Sequence, residues 1–198
     1  QCETSDISFS NGLVQAHAKE IEFKAKDILL KKPGKNIYLK DFKYVFMRKD
    51  PPVDENYMNT LHLLDLAQSN GANVINNPSA VKKFNEKIFA LYFTKYIPST
   101  LISSKVSELK AFAKDFSEIV IKPLNGMGGE SIYKLSEIGS DEESIIQELT
   151  NEGKTSIVGQ EFLPEIYDGD FRILIINGKP FNKTLARIPQ GESFKGNL

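Results

Sequence analysis

The residues best suited to chemistry stand in "EIVIKPLNGMGGESIYKL", residues 118–135. An apolar run ends on Lys122, Pro123 follows, and Gly126, Gly128 and Gly129 then surround Met127. A Walker loop places its lysine after the glycines, whereas Lys122 precedes them. A dinucleotide fingerprint opens a helix, whereas "SIYKL" alternates like a strand. What remains is a glycine loop between two antiparallel strands, whose backbone amides can face phosphate oxygens where no β-carbon intervenes. Pro123 biases Lys122 toward extended backbone, so the strand continues through it and its side chain shares a face with Val120. A lysine on that face loses hydration unless an anion compensates it. The competing reading is a tight hairpin whose lysine reaches water.

The elements that position this loop follow from pattern. "YVFM" (44–47) reads as a buried strand ended by "RKDPP". Asp54 can cap a helix through about Gln68, with Tyr57, Leu61, Leu64 and Ala67 on one face and Gly71 just past its end. "NVI" (73–75) is the next strand, which completes a βαβ unit. Pro78 suits a helix first turn, and Asn85 can cap a second helix through "EKIFALYF". "STLI" is a strand, and Ser107 caps a helix through "ELKAFAKDF". Ser140 and Glu143 form a capping box for the helix that ends at Gly153. "TSIVGQEF" and "FRILIIN" are strands, and Asn177–Gly178 is a hairpin turn needing positive φ twice. Residues 1–43 show only weakly alternating segments. The expected fold is α/β followed by α+β, the first part parallel and the second antiparallel.

The 198 residues are 40% apolar and 26% charged, ordinary for a soluble globular chain. Lys plus Arg number 25 against 26 Asp plus Glu, so nothing draws the chain broadly to nucleic acid or membrane, and any anion site is local. Cys2 is the one cysteine, which excludes an internal disulfide and fits a reducing, cytoplasmic setting. Neither a membrane-length apolar run nor a signal peptide is evident. The chain starts with Gln and ends on loop-like "FKGNL", as a fragment of a longer protein would. His17 and His62 belong to no catalytic or zinc-like constellation.

The order of six motifs goes further. "FMRKDPP" (46–52), "NEK" (85–87), "IKPLNGMGG" (121–129), "QEFLP" (160–164), "GDFRILIINGKP" (169–180) and "ARIPQGESFKGNL" (186–198) resemble the bacterial type of glutathione synthetase, an ATP-grasp ligase. The resemblance runs from about Phe42 to Leu198. It implies a partial Rossmann-like pre-ATP-grasp domain over 1–80 and an incomplete ATP-grasp domain over 81–198. It also implies a reaction, in which ATP phosphorylates the C-terminal carboxylate of γ-glutamylcysteine and the amine of glycine attacks the acyl phosphate. Lys87 and Lys122 match the two phosphate-holding lysines, with Gly126, Met127, Gly128 and Gly129 as the covering loop. Gln160, Glu161, Phe162 and Leu163 match the adenine-reading hinge. Arg48, Arg172 and Arg187 match arginines around the acid substrate and phosphates, where guanidinium forks suit carboxylates. Arg172 and Arg187 are thereby the catalytic candidates, and Asp170 could pair with Arg172 or orient a ligand donor. "IPQGESFKGN" matches a loop closing over the substrates, with Gly191 and Gly196 as hinges. The resemblance further implies a cytoplasmic homo-oligomer, a tetramer by the family's pattern in the full-length form, that uses ATP and Mg²⁺.

Departures qualify the match. Asn125 stands where Asp is usual, and Phe171 where a basic residue is common. The family's magnesium ligands are expected beyond Leu198, so this chain taken alone is expected to be inactive. Rival readings are an ATP-grasp ligase for another acid, a non-catalytic nucleotide-binding module, and a structural domain that binds nothing.

Overall fold

A computed structural model of the chain describes residues 1–24, 27–31, 33–49, 52–126, 131–189 and 193–194. It divides into two units, Gln1–Phe89 and Ala90–Leu198.

In the first unit, β1 (Ile7–Ser10) and β2 (Leu13–Ala18) form a hairpin. Asn11 (φ 53°) and Gly12 (φ 79°) make its turn, with the same Asn-Gly chemistry as Asn177–Gly178. β3 (Ile21–Lys24) and β4 (Asp27–Leu30) pair with each other, and β5 (Lys35–Tyr38) joins β2. All these pairings are antiparallel. The expected parallel βαβ unit begins only afterwards, with β6 (Val45–Phe46), α1 (Glu55–Ser69) and β7 (Val74–Ile75), where Val45 pairs with Val74. Asp54 caps α1 by accepting the Tyr57 amide at 2.8 Å, an interaction of about 1 kcal/mol. Gly71, at φ 96°, turns the chain after the helix. Leu61, Leu64 and Ala67 bury one helical stripe against Val14, Ala16, Leu39 and Val74. Pro78 opens α2 (Pro78–Lys83), capped by Asn77. The helix expected after Asn85 is instead a turn followed by a 3-10 stretch, Phe89–Tyr96, broken at Phe93. Asn85 does cap, since its Oδ1 accepts the amides of Lys87 and Ile88, both at 3.0 Å, but crowded aromatics such as Phe84 and Phe89 follow instead of an α-helical repeat.

The second unit contains β8 (Thr100–Ser103), α3 (Val106–Ala113), β9 (Ile119–Pro123), β10 (Tyr133–Leu135), α4 (Ser140–Leu149) and β11 (Ile157–Glu161). The strands form one antiparallel sheet in the order β10-β9-β11-β8. Two helix starts differ from expectation. Ser107 lies inside α3, because Ser103 organises that corner: its Oγ accepts the Lys105 amide at 3.0 Å and donates to Glu108 Oε2 at 2.6 Å. The box of α4 sits one residue earlier, where Glu142 accepts the Gly139 amide at 3.0 Å. Past α4 the left-handed region is entered by Asn151, Glu152 and Gly153 together. Leu109 from α3 and Ile146 from α4 pack on Ile119, Ile121, Leu135 and Ile157, so both helices cover one face of the sheet. Alternation along β9 and β11 therefore leaves Val120, Lys122, Val158 and Gln160 on the opposite face.

β12 (Asp170–Ile176) and β13 (Lys179–Arg187) form a separate hairpin. Its turn has Asn177 at φ 50° and Gly178 at φ 75°, as the sequence predicts. Phe171, Ile173 and Leu174 are more than half exposed, so apolar side chains line both of its faces.

Candidate functional site

The helix-free face of the four-stranded sheet carries the polar machinery of the second unit. Lys122 pairs across the ladder with Val158, and Gln160 sits between Val120 and Thr100. Lys122 Nζ donates to Gln160 Oε1 at 2.9 Å. Gln160 Nε2 donates to Thr100 Oγ1 at 2.7 Å, and Thr100 Oγ1 donates to the Pro98 carbonyl at 2.7 Å. This relay fixes which way the amide points, with its oxygen toward the lysine. The lysine is half-buried and its ammonium is held by this contact.

The loop itself is described only through Gly126. A β-carbon at that position would lie 2.7 Å from Pro123 Cγ, so the ring of the proline and the glycine are matched in size. Met127, Gly128 and Gly129 fall outside the described residues, as do the proposed hinges Gly191 and Gly196.

At the hinge, the backbone is already partly committed. The Glu161 amide donates to the Ser99 carbonyl at 2.9 Å and the Phe162 amide to the Glu118 carbonyl at 3.1 Å. The Leu163 carbonyl accepts the Ile166 amide at 3.2 Å. Phe162 is buried, edge-on to Tyr167 and to Phe194, while Leu163 is exposed. Phe194 belongs to the segment expected to close over a substrate.

The arginines divide. Arg187 forms a two-pronged pair with Asp170, its Nε donating to Oδ1 at 2.7 Å and its Nη2 to Oδ2. Hydrogen bonding to Asp170 pushes the guanidinium further toward its charged form. Asp170 thus holds Arg187 and not Arg172, because the hairpin register sets 170 opposite 187 and 172 opposite Leu185. Arg172 and Arg187 still share one face of the hairpin, two residues apart along it, or about 7 Å. Gly169 (φ 102°) makes this base possible, since a β-carbon there would meet the Arg187 carbonyl oxygen at 2.9 Å.

In the first unit, Arg48 stands just past the carboxyl end of β6, as expected for a parallel pair. It lines a hollow of about 300 Å³ with Met47, Lys49, Tyr57, Asn76 and Val81. Lys87 is half-buried beside its Asn85 cap. Sequence reasoning missed Thr100, Glu118 and Lys134. Strand alternation in "STLI" and "SIYKL" puts Thr100 and Lys134 on the same face as Lys122, a signal that was available. Among the described residues, no grouping of His, Cys, Asp and Glu could hold a metal ion, and no helix is long and apolar enough to cross a membrane.

Comparison with known proteins decides the family. Residues 1–82 match the N-terminal domain of prokaryotic glutathione synthetase, and residues 86–198 match its ATP-grasp domain. The chain belongs to the prokaryotic glutathione synthetase family. It is 36% identical over 198 residues to the glutathione synthetase of Vibrio parahaemolyticus serotype O3:K6 (strain RIMD 2210633), covering 99% of this chain and 63% of that protein. For the Escherichia coli (strain K12) glutathione synthetase the identity is 35%, with the same coverage. The Prochlorococcus marinus subsp. pastoris (strain CCMP1986 / NIES-2087 / MED4) protein is 40% identical over 167 residues. The chain therefore spans between 54% and 63% of the length of these relatives. Among solved structures, D-cycloserine synthetase DcsG superposes with a TM-score of 0.58 at 13% identity, over 77% of this chain and 54% of that one. The ATP-grasp ligase PsnB, in a complex with Mg and ADP, superposes at 0.51 with 21% identity, over 71% and 43%. Both likenesses establish the fold alone.

Proposed function

We propose that the whole protein is an ATP-dependent ligase joining γ-glutamylcysteine to glycine, and that the helix-free sheet face of the second unit receives the nucleotide. The observation that carries this is Lys122, aimed by Gln160 and standing at the mouth of a glycine loop, in a chain of this family. A carboxylate oxygen of the acid attacks the γ-phosphorus, and the bond to ADP breaks. The glycine amine then attacks the acyl carbonyl, phosphate departs with the former carboxylate oxygen, and the amine proton is lost to solvent or base. The nucleotide and the acid both carry negative charge, so cations that offset it lower the first barrier. Lys122 supplies one such charge. For Lys87 the role of phosphate cation rests on the resemblance alone.

Leu163 is the hinge residue whose amide suits the purine edge, since the Glu161 and Phe162 amides are engaged within the protein. Arg187, braced by Asp170, and Arg172 on the same hairpin face are the pair proposed for the carboxylates and the transferring phosphoryl group. For Arg48 the role of an arginine around the acid substrate rests on the resemblance alone. The family implies Mg²⁺, and the described residues furnish no carboxylate set to hold it. The charge stabilisation argued above comes from the cations of this chain.

The test is product formation by the whole protein from ATP, Mg²⁺, γ-glutamylcysteine and glycine, with other peptides and amino acids exchanged for the acid. Glutathione as the preferred product supports the reading. ADP release that favours a different acid would replace the substrate, and no nucleotide turnover with any acid would remove the ligase assignment.

A further inference from the structure

Lys134 lies on β10, the return strand of the glycine hairpin, directly opposite Val120 and on the same sheet face as Lys122. It does not turn toward Gln160. Its ammonium pairs with Glu118 Oε1 at 2.9 Å and stands 4.7 Å from the centroid of the Phe162 ring. It also lies 6.0 Å from the centroid of the Tyr167 ring. One cation thus joins the glycine hairpin, the residue just before β9, the hinge, and the 3-10 turn Pro164–Asp168 beyond it.

The hinge amides around Phe162 have fixed partners, but its ring orientation depends on side-chain neighbours. A cation over an aromatic face resists rotation and sliding of that ring, and a carboxylate behind the cation keeps it there. Loss of that hold would loosen the packing of Phe162, the residue directly before Leu163, whose amide is proposed to read the base.

We propose that Lys134 is a positioning residue for the nucleotide base: it locks the Phe162 ring and so sets the hinge, while Lys122 serves the phosphates. The assignment rests on the nucleotide reading given above. It separates two lysines of one sheet face by the part of ATP each serves.

The test titrates the whole protein with ATP and, separately, with inorganic tripolyphosphate, which has the phosphates and lacks the base. Lys134→Met is expected to weaken ATP about three- to tenfold and to leave tripolyphosphate within about twofold. Lys134→Arg restores ATP affinity, because guanidinium keeps both the charge and the stacking. Phe162→Leu lowers ATP affinity similarly, and the double variant is no weaker than the weaker single one. Equal weakening of ATP and tripolyphosphate by Lys134→Met would make it a phosphate ligand and overturn the assignment. So would unchanged ATP affinity. If Lys134→Met does not fold, Glu118→Gln decides, with selective weakening of ATP expected and an unchanged affinity contradicting the proposal. Wild-type protein that takes up no ATP at all would retire the nucleotide reading itself, and it is seen before any variant is made.

Discussion

Lys122 and Gln160 are bonded across the β9–β11 pairing, ammonium to amide oxygen at 2.9 Å, and Thr100 holds the far side of the same amide. The lysine is one rung away from the glutamine in register, since Lys122 opposes Val158 and Val120 opposes Gln160. The contact is therefore diagonal, and it exists because the antiparallel pairing sets both side chains on the face that the helices leave open.

Gln160→Leu should accordingly weaken ATP about three- to tenfold without unfolding the protein, since a hydrogen bond to a charged group is lost and the lysine is released from its aim. Lys122→Met removes the charge itself and should cost more than Gln160→Leu. Equilibrium titration with ATP orders the two, and a Gln160 variant weaker than the Lys122 variant would contradict this hierarchy.

Gly126→Ala tests whether the loop needs its close approach to Pro123. A β-carbon 2.7 Å from Pro123 Cγ forces a local shift, at about 1–3 kcal/mol. The expected outcome is a folded protein with lowered ATP affinity and a lowered melting temperature. Replacing Pro123 by Ala in the same variant should recover part of both, as measured by titration and thermal unfolding.

Arg187→Lys distinguishes a fork from a charge. Lysine keeps the positive charge and cannot reproduce the two-pronged contact with Asp170. Turnover of the whole protein should fall by about tenfold or more, and Asp170→Asn should lower it in the same direction by a smaller factor. Full activity in Arg187→Lys would remove this pair from the proposed machinery.

The first unit offers a pH test away from the site. Hydrogen bonding from Lys82 on α2, and then from Ser79, holds the carboxyl of Asp65 on α1 below the usual aspartate range. Its folded pKa is thus lower than its unfolded one. The stabilisation is present above the unfolded value near 3.8 and is lost as pH falls through the folded value. Asp65→Asn should lower the melting temperature by about 1–3 °C near neutrality, a small effect because the pair is partly solvated. That gap should close as the pH drops below about 4. A gap that persists undiminished at pH 2 would show that the charge on Asp65 is irrelevant.

Much of this arrangement was legible in the sequence because it depends on local chemistry. Asp54, Pro78 and the Asn177–Gly178 turn act within a few residues of themselves, and each sits where pattern places it. The glycine hairpin was readable for the same reason, since Pro123 and the alternation of "SIYKL" exclude a helix on both sides. What pattern could not supply was register. Whether Asp170 meets Arg172 or Arg187 depends on how β12 slides on β13, and spacing along one strand says nothing of that. Nor does it show that Gln160 reaches Lys122, 38 residues earlier. The start of α3 lies outside local pattern for a related reason, as Ser103 acts on the helix from the preceding strand. Residues 1–43 were opaque mainly because their strands are short, although Asn11–Gly12 carried a hairpin signal that went unused.

The central claim is that ATP activates an acid carboxylate on this protein by phosphorylating it. γ-Glutamylcysteine labelled with ¹⁸O in its C-terminal carboxylate tests that step directly in the whole protein, with ATP, Mg²⁺ and glycine present. One labelled oxygen should appear in inorganic phosphate for each glutathione formed, and the Lys122→Met variant should slow both together. Glutathione made with unlabelled phosphate, or ATP hydrolysed with the label retained in the acid, would contradict the account.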